Sequence, residues 1–281
     1  MVLIADTLKT LLDRGLSRLE AQRLLLHALG RADHDRAWLL SHDGDAVPAD
    51  AQARLDALVQ RYQNGEPMGY LLGYQAFYGL DLQVDARVLV PRPDTEPLVD
   101  WALELLAPHT DARVIDLGTG SGAIALALKT TQPSLHVLAV DASADALAVA
   151  RANAKRLGLD VDFVQTSWLD AVAGLWDVIV SNPPYIANED PHLAALTHEP
   201  LSALASGADG LEDIRSIIAQ SASRLKAGGW LLLEHGYDQA PVVRALLRTA
   251  GFTNVQSHQD LAGIARCSGG QWPAAWQDQR H

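Results

Sequence analysis

What this chain has least of narrows it first. It holds one cysteine, Cys267, so neither an internal disulfide nor a cysteine-built metal site is open to it. His27, His34 and His42 are scattered, with no carboxylate or thiol at ligand spacing, so they read as surface or packing residues and no metal is expected. No apolar run reaches the roughly 18 residues of a membrane helix, and no membrane partner is expected. Near the N-terminus Asp6 stands where a secretory leader would be basic and apolar, so the cytoplasm is the expected compartment. Basic residues are outnumbered, 22 Lys and Arg against 34 Asp and Glu, for a net charge of −12. That balance argues against affinity drawn from nucleic-acid phosphates, and no direct nucleic-acid binding is expected. Nothing in the pattern calls for an oligomer, so a monomer is the default.

What is present is an ordinary globular composition, 48% hydrophobic and 20% charged, over 281 residues. Residues 1–74 read as a small helical domain. Leu8, Leu11 and Leu12 recur at helical spacing, Ser17 and Glu20 form a capping box, and Pro48 opens a helix carrying Leu55, Leu58 and Val59. Residues 75–93 change period: Leu80, Leu82 and Val84 alternate, and Val88-Leu89-Val90 follows, which predicts a β-hairpin linker. Two prolines around Arg92 then stiffen the chain, and Asp94 or Thr95 is placed to cap the next helix. Arg92 or Glu96 is a candidate to reach over a bound ligand.

Residues 94–281 read as a catalytic domain. Strands are expected near 113–117, 136–140, 161–165, 177–181, 230–233, 253–256 and 264–267, with helices near 123–129, 144–157, 211–225 and 239–250. Such alternation predicts an α/β fold with a seven-stranded, mostly parallel sheet, the last two strands pairing antiparallel. The tail 269–281, with Trp272 and Trp276, reads as an irregular appendage.

Two stretches carry chemistry. The first is Gly118-Thr119-Gly120-Ser121-Gly122, between a strand and a helix, followed by Asp141 at the end of the next strand. Glycines let a ligand approach the backbone, and an acid in that place accepts ribose hydroxyls. The loop also fits a dinucleotide fingerprint, which leaves a dehydrogenase open. Asp116, directly before the loop, suits the ammonium of S-adenosylmethionine and would repel a pyrophosphate. Trp168 follows the third strand, where it would edge an adenine ring or pack in the core.

The second stretch is Asn182-Pro183-Pro184-Tyr185, at the end of a buried strand. By itself it is a stiff turn closing a strand. It also offers fixed acceptors, the Asn182 side-chain oxygen and a proline carbonyl, beneath an aromatic face. That set suits a planar amino group.

Together these motifs resemble the class I methyltransferases that alkylate amide or amino nitrogens. Asn182 to Tyr185 is shared by adenine-N6 and glutamine-N5 enzymes. Other stretches separate them: Gly65-Glu66-Pro67, Tyr70-Leu71-Leu72-Gly73, Val90-Pro91-Arg92-Pro93-Asp94-Thr95-Glu96, Glu199-Pro200 and Leu233-Glu234-His235-Gly236. Over 8–266 the chain resembles the PrmC/HemK family, which methylates the glutamine of the Gly-Gly-Gln motif in class I peptide chain release factors. Asp94 departs from the glutamate of many members but keeps the acid, and the tail after Cys267 exceeds the usual end. The resemblance implies a Rossmann-like fold behind a helical domain and S-adenosylmethionine as cofactor, held by Gly118, Thr119, Gly120, Ser121, Gly122, Asp141, Trp168 and Asn182. It implies a release factor as protein substrate, with Asn182, Pro183, Pro184 and Tyr185 on the glutamine, and among them Asn182, Pro183 and Tyr185 catalytic. An adenine-N6 methyltransferase is the alternative enzyme, and a cofactor-binding docking module the non-enzymatic one.

Overall fold

The computed structural model describes residues 2–260 and 262–274. The chain divides into two compact units, Met1–Gly73 and Tyr74–His281. Among the described residues no helix is long and apolar enough to cross a membrane.

The first unit is helical: α1 (Ile4–Asp13), α2 (Arg18–Ala28), α3 (Arg36–Ser41), α4 (Ala49–Gln63) and α5 (Met68–Leu72). The Ser17–Glu20 capping box is formed, each residue bonding the other's backbone N–H. Leu24, Leu25, Leu55 and Val59 are fully buried, each contributing about 1.5–3 kcal/mol relative to exposure. The short α3 and α5 lack enough turns to show a period in sequence.

The second unit opens with a hairpin of β1 (Tyr74–Phe77) and β2 (Leu80–Gln83). This corrects the expected pairing of Leu80–Val84 with 88–90. Tyr78 and Gly79 have φ of 50° and 75°, the two positive angles of a tight two-residue hairpin turn. That turn sets the register, and a tyrosine does not announce it. Residues 88–90 are irregular instead, with the Val90 N–H donated to Glu199 Oε1 at 2.9 Å. Within this unit the hairpin is tied down by Asn153, which accepts from the Gln83 N–H at 2.8 Å and donates to its carbonyl at 3.0 Å.

A 3-10 turn, Pro93–Thr95, leads into α6 (Glu96–Leu106), and neither Asp94 nor Thr95 caps it by side chain. Thereafter come β3 (Arg113–Leu117), α7 (Ala123–Thr131), β4 (His136–Asp141), α8 (Ala144–Leu157), β5 (Asp162–Gln165) and β6 (Trp176–Ser181). Two further 3-10 turns, Pro191–Ala195 and Leu201–Ala203, precede α9 (Glu212–Ser221), β7 (Leu225–Glu234), α10 (Ala240–Thr249), β8 (Thr253–Gln259) and β9 (Ala265–Gln271).

The seven strands run β5-β4-β3-β6-β7-β9-β8, parallel from β5 to β7, with β9 antiparallel to both neighbours. Alternate residues face opposite layers, as strand pleating requires. Val114, Val178 and Leu232 pack against α6 and α7 residues such as Leu98 and Leu128. Ile115, Ile179 and Leu231 pack against Ile214 and Ile217 of α9 and Val243 of α10. Both faces are covered, so the strands read as continuous apolar runs.

The tail reading needs correction over its first part. Gly269, Gly270 and Gln271 belong to β9, and Trp272 is buried against Phe252 with ring centroids 5.2 Å apart. A Cβ on Gly269 would meet Leu231 O at 2.6 Å, and one on Gly270 would meet Phe252 Cβ at 2.8 Å. Close approach selects glycine here, and glycine hides a strand from pattern reading. Trp276 lies outside the described residues.

Candidate active site

Strand order reverses around β3, which has β4 on one side and β6 on the other. The crevice beyond the carboxyl ends at such a point is where open α/β sheets bind ligands. Three loops meet there: 118–122 after β3, the turn after β4, and 182–185 after β6. Ser181, whose Cα pairs with Leu117, donates its hydroxyl to the Leu117 carbonyl at 2.7 Å. The glycine loop and the Asn182 turn are thereby pinned side by side, a role the sequence did not signal.

The glycine loop is held from below. Asp116 is buried, and its Oδ2 accepts from the Thr119 hydroxyl at 2.6 Å and the Ala125 N–H at 3.2 Å. Burial pushes its carboxyl up to about 7 against those two bonds, with Asp141 adding to the rise. Asp141 bridges loops: one oxygen accepts from the Gly120 N–H and the other from the Ser143 N–H, both at 2.9 Å. Gly118, Gly120 and Gly122 all take positive φ. On Gly118 a Cβ would sit 3.2 Å from the Trp168 ring, and Trp168 itself takes a φ of 46°. A tryptophan in the left-handed region is uncommon and marks a constrained site.

These groups enclose a cavity of about 300 Å³ lined by Gly118, Gly120, Asp141, Trp168, Asn182 and Pro184, among others. Thr119, Ser121 and Gly122 do not line it. Thr119 braces Asp116, the Ser121 carbonyl accepts from Asn153 at 3.0 Å, and a Cβ on Gly122 would press Leu126 at 3.0 Å. An adenosine cofactor with a cationic head fits what is there. The glycines leave a cradle that side chains would fill, and Asp116 Oδ1 is buried without a hydrogen-bond partner.

Asn182 also lines a second cavity, of about 520 Å³, with Leu89, Arg92, Asp94, Tyr185, Glu234 and Arg266. It is thus a wall between the two. Its Nδ2 donates to Thr95 Oγ1 at 3.2 Å, which ties down the donor end of the amide and leaves the acceptor end for a ligand. Pro183 is buried and lines neither cavity. Tyr185 is held by its carbonyl, which accepts from Gln239 Nε2 at 3.0 Å. Its phenol donates weakly to Glu234 Oε1 at 3.4 Å, and burial pushes that phenol well above its ordinary range.

Of the two linker candidates, Arg92 reaches the second cavity, paired with Glu199 at 2.5 Å. Glu96 lines neither cavity and accepts the Tyr78 N–H at 3.0 Å, tying the hairpin to α6. Thr95, Glu199 and Glu234 each gain a site role that local pattern could not assign, because their partners are distant in sequence.

Residues 3–73 match the model of the PrmC N-terminal domain and 98–206 that of the methyltransferase small domain. The release factor glutamine methyltransferase of Bordetella pertussis is 49% identical over 96% of this chain and 99% of its own length. The chain belongs to the release factor glutamine methyltransferase family. A second member, from Xylella fastidiosa strain Temecula1, is 47% identical over 92% of this chain and 94% of its own length. Outside the family the same fold recurs in the hMettl16 catalytic domain, at a TM-score of 0.57 and 20% identity over 80% of this chain and 81% of that one. The family's helical and methyltransferase parts thus both have their counterpart here, and the fold class read from sequence stands.

Proposed function

We propose that this chain transfers the methyl group of S-adenosylmethionine to the side-chain amide nitrogen of the glutamine in the Gly-Gly-Gln motif of class I peptide chain release factors, and that it does so in the cytoplasm, as a monomer. The observation that carries the reading is Asn182, one amide shared by two cavities with its donor end already bound by Thr95. The relatives' names supply the substrate class.

In this reading Gly118, Gly120, Asp141 and Trp168 hold the cofactor, Asp141 on the ribose hydroxyls and Trp168 along the adenine. Thr119, Ser121 and Gly122 shape the loop whose backbone faces it. Bound there, S-adenosylmethionine supplies an electrophilic methyl on a sulfonium. The chain's own work is done on the other reactant. A primary amide nitrogen is a poor nucleophile because its lone pair is delocalised into the carbonyl. Asn182 Oδ1 accepts one amide N–H, which turns the nitrogen lone pair toward the cofactor cavity, and the Pro183 carbonyl takes the other once the arriving segment uncovers it, since Pro183 is buried and lines neither cavity beforehand. Fixed acceptors also favour positive charge growing on nitrogen, and they need no reorganisation as it forms. Pro184 stiffens the turn, and Tyr185 packs on the amide plane. Alignment of this kind is worth on the order of 7–11 kcal/mol in favourable systems. As the N–CH3 bond forms the S–CH3 bond breaks, leaving a neutral thioether, and the strongly acidic cationic amide then gives its proton to water, so no strong base is required.

The test is mass spectrometry of the Gly-Gly-Gln peptide from a release factor incubated with the protein and S-adenosylmethionine. A gain of one methyl on glutamine is expected. Transfer to nucleic acid alone would replace the reading with adenine methylation.

A further inference from the structure

The cavity beyond Asn182 contains a polar group that methyl transfer leaves unused. Glu234 ends β7 and is 2% exposed, yet it lines that cavity. Its Oε1 takes a long bond from the Tyr185 hydroxyl at 3.4 Å, the Thr95 hydroxyl also reaches the carboxyl, and among the described residues Oε2 has no hydrogen-bond partner. The cations nearby are engaged elsewhere. Arg266 lies 3.6 Å from Asp94 and 3.2 Å from Asp260, and Arg92 is paired with Glu199. Desolvation raises the carboxyl to about 7, with Asp94 adding to the rise and the Thr95 and Tyr185 hydroxyls and Arg266 opposing it. Buried acceptors in native proteins are met by donors, and none of the described residues supplies one to Oε2.

We propose that Glu234 is a substrate-binding residue whose free oxygen accepts one backbone N–H of the glycine-rich segment that carries the reactive glutamine. The inference rests on the glutamine-methylation reading. The charged groups lining the cavity balance, Arg92 and Arg266 against Asp94 and Glu234, so the site does not require a charged donor. A Gly-Gly segment has nothing else to give, since its only hydrogen-bonding groups are in the backbone. With β6 and β7 adjacent and parallel, with Ser181 opposite Leu233, Asn182 and Glu234 stand at neighbouring strand ends. One would take the side-chain amide while the other takes the main chain that bears it. Glu234 thereby selects for a flexible peptide over a free amide.

The test crosses Glu234→Ala and Glu234→Gln with release factors in which one backbone N–H, at each of the two glycines, the glutamine and the following residue in turn, is replaced by an ester oxygen. In the unmodified enzyme one ester position is expected to raise KM on the order of tenfold, the effect of losing one charge-assisted hydrogen bond. Glu234→Ala is expected to raise KM for the native release factor similarly, with cofactor affinity unchanged, and to be indifferent to that same ester. Glu234→Gln, which keeps an acceptor oxygen, is expected to recover part of the loss. Equal ester penalties in the parent and in Glu234→Ala at all four positions would overturn the proposal. Failure of the parent to methylate any release factor would instead overturn the reading beneath it.

Discussion

The two cavities that meet at Asn182 are built on opposite principles. The one beside Trp168 is built on loop backbone, with glycines at positive φ and an Asp141 whose oxygens each already hold an N–H, and its one unmet oxygen, Asp116 Oδ1, lies beneath the glycine loop. The other is walled by Arg92, Asp94, Glu234 and Arg266, and one of its carboxylate oxygens is unmet. A site proposed to take the same small molecule in every turnover can be nearly finished in advance, with one buried oxygen left for a cationic head. A site that takes a segment of another protein leaves hydrogen-bonding capacity open until that segment arrives, and accepts a stability cost in its absence.

Substitutions that strike one side and spare the other sharpen this contrast. The largest effect belongs to the shared wall. Asn182→Ala is expected to slow single-turnover methyl transfer about 10²- to 10³-fold, the usual cost of a lost preorganised electrostatic contact, with cofactor binding weakened less. Comparable turnover would remove Asn182 from the acceptor role. Asp141→Ala acts on the cofactor side alone. Calorimetry should show S-adenosylmethionine binding weakened about 10- to 100-fold, while affinity for the release factor holds. Unchanged cofactor affinity would refute the ribose assignment.

On the substrate side Gly210 is the test of geometry. Its φ is +73°, and a Cβ there would fall 2.2 Å from the Tyr185 carbonyl. Gly210→Ala should cost about 1–3 kcal/mol in denaturant unfolding and raise KM for the release factor by displacing Tyr185. A variant of parental stability would show that the Tyr185 turn yields easily. The last effect is a dependence on pH. Folding raises the Glu234 carboxyl from 4.5 to about 7, so between those values the folded state binds more protons than the unfolded one. Its ionisation therefore lowers stability as pH rises through that window and adds nothing above it. Glu234→Gln lacks the term, so its unfolding free energy relative to the parent should climb from pH 4.5 to pH 7 and then level off. A flat difference would mean that the carboxyl is not desolvated.

The same contrast explains what could be read from sequence. The cofactor side is local. A strand, a glycine turn and an acid at the next strand end are consecutive in the chain, and Gly118, Gly120 and Asp141 were legible together. The substrate side is assembled from afar. Thr95 reaches Asn182 across 87 positions, Ser181 reaches Leu117 across 64 and Glu199 reaches Val90 across 109. No spacing rule links such pairs before strand order is known. Two elements were misread for conformational reasons: the hairpin, whose turn uses Tyr78 at positive φ, and β9, whose glycines reflect crowding rather than a loop.

The position of β9 sets an order on how this molecule comes into being. It is the last strand of the sheet in sequence, yet it is inserted between β7 and β8 and pairs Cys267 with Glu234. Every residue lining the cofactor cavity lies at or before Asp213, whereas the second cavity needs Arg266. During synthesis from the N-terminus, the ribosome therefore emits all of the first cavity well before the strand that secures the second. A nascent chain passes through a stage at which the pocket proposed for the cofactor has all its residues and the pocket proposed for the release factor does not.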